Sequence, residues 1–107
     1  MKKIILPLLA LFAISPAFAS APLDCFKKAS VDMDQMVAVR LCAQTENADA
    51  PIECLREAKS FLPIYESVGL CSASKNAQET LRCYREAVTQ LTSIPNAAIR
   101  LCGGNTN

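Results

Sequence analysis

The sequence predicts an all-α fold: three tandem helical hairpins with a period of 29 residues, each closed by a disulfide, stacked into one small domain. The first observation is that six cysteines form three pairs whose first members, Cys25, Cys54 and Cys83, stand 29 positions apart. The second is that apolar residues recur with helical spacing, while no segment alternates like a half-buried strand. A fixed period with matched positions in every copy indicates repeats that stack on one another.

Residues 1–19 have the three parts of a secretory signal. Lys2 and Lys3 provide the positive start, an apolar run follows, and Ala17-Phe18-Ala19 matches the small-x-small cleavage site. A short, lysine-rich signal of this kind is typical of bacteria. The sequence therefore predicts an exported protein, periplasmic or secreted, whose mature chain is a single helical-repeat domain of residues 20–107.

The predicted mature chain is small and nearly neutral. Removal of 19 residues from 107 leaves 88, one domain whose core is marginal without covalent support. Loss of the two signal lysines changes the net charge from +1 to −1, which gives no reason to expect a nucleic-acid partner. Pro7 and Pro16 leave an apolar run that is too short for a membrane anchor of about 20 residues. Stable membrane insertion is therefore not expected.

Three units are predicted, at about residues 24–48, 49–75 and 76–104, followed by a short disordered tail. Four further positions repeat in the same phase: a large apolar residue, a basic residue, an alanine and a leucine. In chain order they are Phe26, Leu55 and Tyr84; Lys27, Arg56 and Arg85; Ala29, Ala58 and Ala87; and Leu41, Leu70 and Leu101. We interpret the large apolar set as core, together with Met33 and Met36.

The middle unit has the clearest helix signals. Asp49 is expected to cap a first helix that has Pro51 in its first turn. Pro63 is expected to end this helix and to suit the first turn of the second. The apolar stripe of the first helix would comprise Ile52, Leu55 and Leu62.

The outer units repeat this design with different signals. In the first unit, residues 32–35 can start the second helix. In the third, residues 76–79 resemble a capping box, and Ser93 with Pro95 is expected to start the second helix. Gly69 of the middle unit stands where both outer units have arginine. Because glycine costs a helix about 1 kcal/mol relative to alanine, it indicates either a close approach of a neighbouring helix or simple sequence drift.

The cysteines are predicted to pair within units, as Cys25–Cys42, Cys54–Cys71 and Cys83–Cys102. In an antiparallel hairpin, residues equally far from the turn lie opposite each other. The midpoint of each cysteine pair falls at the predicted helix break or cap. Bridges suit an exported protein, and each is worth roughly 3 kcal/mol in the chain-entropy model. The main alternative joins Cys42 to Cys54 and Cys71 to Cys83, which leaves Cys25 to pair with Cys102.

The composition argues against catalysis. The sequence contains no histidine, which removes the commonest general base and the commonest metal ligand. The cysteine spacings fit neither a zinc site nor a Cys-x-x-Cys redox pair, and no glycine-rich phosphate loop is present. We therefore predict no catalytic, cofactor-binding or metal-binding residues, no cofactor, and no enzymatic activity.

A basic row is the best candidate for a binding surface. If the units stack regularly, Lys27, Arg56 and Arg85 line up on one side and could contact an acidic protein or a glycan. The alternative is a solvated surface in which helical pairs such as Glu79 with Arg82 and Arg82 with Glu86 balance the charges.

Three functions stay open at this point. A repeat of this size without a catalytic set favours a small exported interaction protein, whose partner is a protein or glycan of the envelope or medium. A small secreted inhibitor or toxin-neutralising protein is the second possibility. A membrane-active or lipid-binding helical protein is the third, although the near-neutral charge and the bridges argue against it.

Overall fold

The computed structural model describes residues 20–94 and 96–103, and within them it is all-helical. The predicted signal peptide, residues 1–19, and the predicted tail after residue 104 lie outside the described residues. Six helices follow in order: α1 (20–29), α2 (Gln35–Cys42), α3 (Ala50–Ala58), α4 (Ile64–Cys71), α5 (Ala77–Gln90) and α6 (Ala97–Cys102). Successive helices form three hairpins, called units 1, 2 and 3 below, which confirms the predicted fold class.

One disulfide closes each unit. The bridges are Cys25–Cys42, Cys54–Cys71 and Cys83–Cys102, with Cα–Cα distances of 5.6, 5.5 and 5.7 Å. These distances lie in the normal range for disulfides. The pairing within units is therefore the one observed, and the alternative pairing between units is absent.

The units stack by packing of corresponding helices: the first helix of one unit contacts the first helix of the next, and the second helix contacts the second. α3 packs against α5, and α4 lies between α2 and α6. Leucines at the unit contacts and small alanines beside the bridges fill the core. The completely buried members include Leu41, Leu55, Leu70, Leu81, Ala29 and Ala58. Phe26 and Tyr84 are half-buried against this core, which agrees with their predicted role.

The two junctions between units repeat the same structure. The segments are CAQTEN at 42–47 and CSASKN at 71–76. Gln44 and Ala73, two residues after the second cysteine, have left-handed φ values of 62° and 58°. A left-handed residue commonly ends a helix, although glycine or asparagine usually occupies the position. Both junctions therefore carry the conformational cost of a side chain in this region.

An asparagine caps the helix after each junction. Asn47 Oδ1 accepts hydrogen bonds from the backbone N–H groups of Asp49 and Ala50, at 2.8 and 2.9 Å. Asn76 Oδ1 accepts from Glu79 N–H at 3.0 Å, in the predicted capping box. Asp49 makes no side-chain cap hydrogen bond. Asp49 stands at the predicted cap position with Pro51 in the first turn of α3, but the capping side chain is Asn47, the equivalent of Asn76.

Three other local predictions differ from the structure. α3 ends at Ala58, so Leu62 follows the helix, although it still packs against the core. α6 begins at Ala97 after a left-handed Asn96 (φ 66°), later than Ser93, and Pro95 lies outside the described residues. Met36 is exposed, while Met33 packs against the core. Helical spacing alone did not distinguish these two methionines.

Candidate functional site

The basic row is placed on the surface, and two of its members hold the units together. Arg56 lies 3.8 Å from the carboxylate of Asp32 in unit 1. Arg85 pairs with Glu57 of unit 2. Lys27, in unit 1, has no ion-pair partner among the described residues. The hypothesis of a basic binding row remains untested, but two of its three charges are already paired with the preceding unit.

A second set of polar contacts connects the same helices. Lys28 Nζ donates to Asp49 Oδ1 at 2.7 Å, and Gln78 Nε2 donates to Glu57 Oε1 at 3.4 Å. These contacts are equivalent, because each joins the third residue after a first cysteine to the fifth residue before the next. The hydrogen bond to Asp49, followed by the attraction of its charge, raises the pKa of Lys28. The predicted pairs of Arg82 within α5 are not among the ion pairs of the described residues.

Each unit thus has two distinct sides. We call the side that contacts the preceding unit its leading face, and the side that contacts the following unit its trailing face. Arg56 and Arg85 belong to leading faces, whereas their partners Asp32 and Glu57 belong to trailing faces.

Apolar residues on these faces are buried only where a neighbouring unit exists. On the trailing faces, Leu41 and Leu70 are 0% exposed, but the equivalent Leu101 of unit 3 is 68% exposed. On the leading faces, Val39 of unit 1 is 47% exposed and Val68 of unit 2 is 7% exposed. The described part of the molecule therefore ends in two apolar surfaces, the leading face of unit 1 and the trailing face of unit 3.

An apolar groove runs between α2 and α4. It encloses about 570 Å³, and its apolar lining comprises Met36, Val37, Val39, Tyr65, Val68 and Gly69. Met36 and Tyr65 are equivalent residues of their units and are 62% and 72% exposed. Tyr65 is exposed although unit 2 has neighbours on both sides, so this position does not lie in a unit contact. Asp34 and Arg40 provide one charge of each sign at the groove.

Gly69 lies between the groove and unit 3. A Cβ atom built on Gly69 would lie 3.5 Å from Cγ2 of Ile99 in α6, an ordinary van der Waals distance. A neighbouring helix does approach, as one interpretation of the sequence expected. The approach leaves room for alanine, so contact with α6 does not itself require glycine.

Two kinds of reactive site are absent from the described residues: free thiols and metal-binding clusters. All six cysteines are in bridges, and no group of three His, Cys, Asp or Glu residues in this part of the chain could hold a metal ion. Over residues 20–94 and 96–103, every helix is too short or too polar to cross a bilayer. Besides the groove, the exposed apolar side chains of the two end surfaces can contact another molecule.

Comparisons with protein-family models, with curated proteins and with solved structures found no match for this chain. Sequence reasoning missed the groove and the end surfaces, because both depend on which repeats have neighbours. One sequence signal for the faces lies at the third position after the first cysteine of each unit. Lys28, Glu57 and Glu86 occupy this position, and Lys28 and Glu57 both contact the following unit.

Proposed function

We propose that this chain is a small exported interaction protein without catalytic activity, and that it binds a protein partner through the groove between α2 and α4. The exposure of Met36 and Tyr65 at this groove is the observation that carries the proposal. Both belong to residue types suited to contacts: tyrosine is enriched at interfaces, and methionine adapts to varied apolar partners.

The rigidity of the groove supports binding. A disulfide fixes each groove helix within its own unit, Cys25–Cys42 for α2 and Cys54–Cys71 for α4, and the hydrogen bond from Ala73 N–H to the Leu41 carbonyl joins the two units. A groove held in place before binding loses little conformational entropy when it is occupied. We therefore expect the groove to accept a short apolar segment of the partner, with Tyr65 as the anchor.

Site-specific crosslinking can test this proposal. A photoreactive phenylalanine analogue at position 65, in protein expressed from the full-length gene in its source organism, should yield one dominant crosslinked protein. Tyr65→Ser and Met36→Ser should reduce co-purification of that protein, because each removes apolar contact area. Val31→Ser is the matched control, since Val31 is exposed in the turn between α1 and α2 and does not line the groove.

Two outcomes would contradict the proposal. Co-purification that is unaffected by both groove substitutions would place the contact elsewhere. Binding to lipid vesicles that Tyr65→Ser abolishes, without any crosslinked protein, would instead favour the membrane-active alternative.

A further inference from the structure

We propose that the protein binds a second copy of itself end to end, with the trailing face of unit 3 in one copy against the leading face of unit 1 in the next. This contact would repeat the unit contacts within the chain. It shares Val39 with the groove but uses neither Met36 nor Tyr65, so it does not rest on the proposed function.

The apolar residues of the two end surfaces support this pairing. Leu101 occupies the position at which Leu41 and Leu70 are completely buried by a following unit. On the opposite end, Leu23 and Val39 are exposed, whereas their equivalents Ile52 and Val68 are buried. Each end therefore exposes apolar residues whose equivalents are buried where another unit of the same chain packs on them.

The charges at the two ends are also complementary, at positions equivalent to those of an ion pair between units. Inside the chain, Arg85 of a leading face pairs with Glu57 of the trailing face before it. The residues equivalent to this pair at the free ends are Lys27 in unit 1 and Glu86 in unit 3. Both side chains are exposed, and neither has an ion-pair partner among the described residues. Docking of one copy on the next would bring Lys27 of one beside Glu86 of the other.

The symmetry of the contact follows from its two different surfaces. A contact between unlike faces is heterologous, so each copy leaves one face free for another. The protein should therefore form open chains of variable length as its concentration rises. A two-fold dimer would pair one face with its own copy, so Lys27 and Glu86, which lie on opposite faces, would not meet.

Sedimentation velocity of the protein expressed from its full-length gene, with its native processing and its bridges intact, tests the proposal. The average mass should rise continuously with concentration. Leu101→Asp should weaken association by about tenfold or more, because it places a charge where a leucine would be buried. Val31→Asp is the control and should leave association unchanged. Its equivalent Ser60 is exposed in the middle unit, so this position lies outside the unit contacts.

Charge reversal makes the test specific for orientation. Glu86→Lys and Lys27→Glu should each weaken self-association several-fold, because each places like charges together. An equimolar mixture of these two variants should associate again, since each end then meets an opposite charge. Circular dichroism should show that both variants remain folded. A monomer at every concentration, a dimer of fixed mass, or a mixture of variants that fails to recover would overturn the proposal.

Discussion

Units 2 and 3 have the same pattern of cysteines, alanines and leucines, but they differ in how much of it is buried. Leu70 is inaccessible, while its equivalent Leu101 is mainly exposed. Cys54 is buried, while its equivalent Cys83 is half-buried. The difference shows that a residue of this repeat is buried by the neighbouring unit as much as by its own hairpin.

The middle unit also connects the other two. Ala73 N–H donates to the carbonyl of Leu41 at 3.4 Å, and Ser72 Oγ lies 3.1 Å from the carbonyl oxygen of Arg40, so α4 contacts α2. On its other side, Phe61 stacks on Tyr84 with ring centroids 5.7 Å apart. In a stack of this kind, stability depends on contacts between neighbours. Damage to unit 2 should therefore spread to both sides, whereas damage to an outer unit should not.

Removal of one bridge should give the largest effect. Cys54→Ala with Cys71→Ala should lower the free energy of unfolding by about 2–5 kcal/mol, the usual loss for a native bridge in a small secreted domain. Cys83→Ala with Cys102→Ala should lower it less, since unit 3 has only one neighbour. Chemical denaturation of the two double variants measures the difference. Equal losses would show that the domain unfolds as one indivisible core.

Truncation of the equivalent leucines compares the two units without changing a bridge. Leu70→Ala should destabilise the protein by about 3 kcal/mol, because it leaves a cavity at a fully buried site. Leu101→Ala should change stability by less than about 0.5 kcal/mol, as expected for an exposed side chain. Denaturation at low protein concentration is the measurement. A large loss from Leu101→Ala would show that the exposed position contributes to the core after all.

The cap before α3 gives a smaller effect. Asn47→Ala should cost about 1 kcal/mol, because two backbone N–H groups lose their acceptor. Asp49→Ala should cost less, since it removes only an exposed ion pair with Lys28. Thermal unfolding of the two variants should therefore rank Asn47→Ala as the less stable. The reverse order would restore Asp49 as the functional cap.

The left-handed residue after α4 offers a small gain in stability. Ala73→Gly relieves a conformational cost of about 1–2 kcal/mol for a side chain in this region. Glycine also raises the conformational entropy of the unfolded chain, which lowers stability by about 0.4–1 kcal/mol. A net gain in stability of about 0.5–1 kcal/mol is therefore expected. Ala43→Gly is the control, since Ala43 has φ −59° and should lose stability on substitution. A loss of stability for Ala73→Gly would contradict the assigned backbone conformation.

Much of the fold could be predicted because its signals are local or strictly periodic. The bridges could be predicted because the two cysteines of a pair, such as Cys54 and Cys71, lie equally far from the helix break, here the one before Pro63. The start of α2 within residues 32–35 and the cap at Asn76 could be predicted because a cap needs only a polar side chain next to its own helix. Asn47 was missed because Asp49, two residues later, gave a stronger signal beside Pro51. The shared period links Asn47 with Asn76 and would have identified it.

The candidate site was less predictable, because exposure in a stack depends on what lies beside each unit. The sequence presents Met33 and Met36 alike as apolar residues, yet only Met33 packs against the core. Likewise Arg56 and Arg85 were expected to line a binding surface, and the structure pairs them with Asp32 and Glu57 of the preceding units. These pairings join residues more than twenty positions apart, and helical spacing carries no information about them.

We expect the two outer units to protect the middle unit against local opening. Native-state hydrogen exchange, followed by NMR at low protein concentration, tests this most directly because it gives an opening free energy for each amide. The amides of α3 and α4 should have the highest opening free energies, and those of α2 and α6 should open at lower cost. Equal protection in all of these helices, or the lowest protection in α3 and α4, would contradict the account.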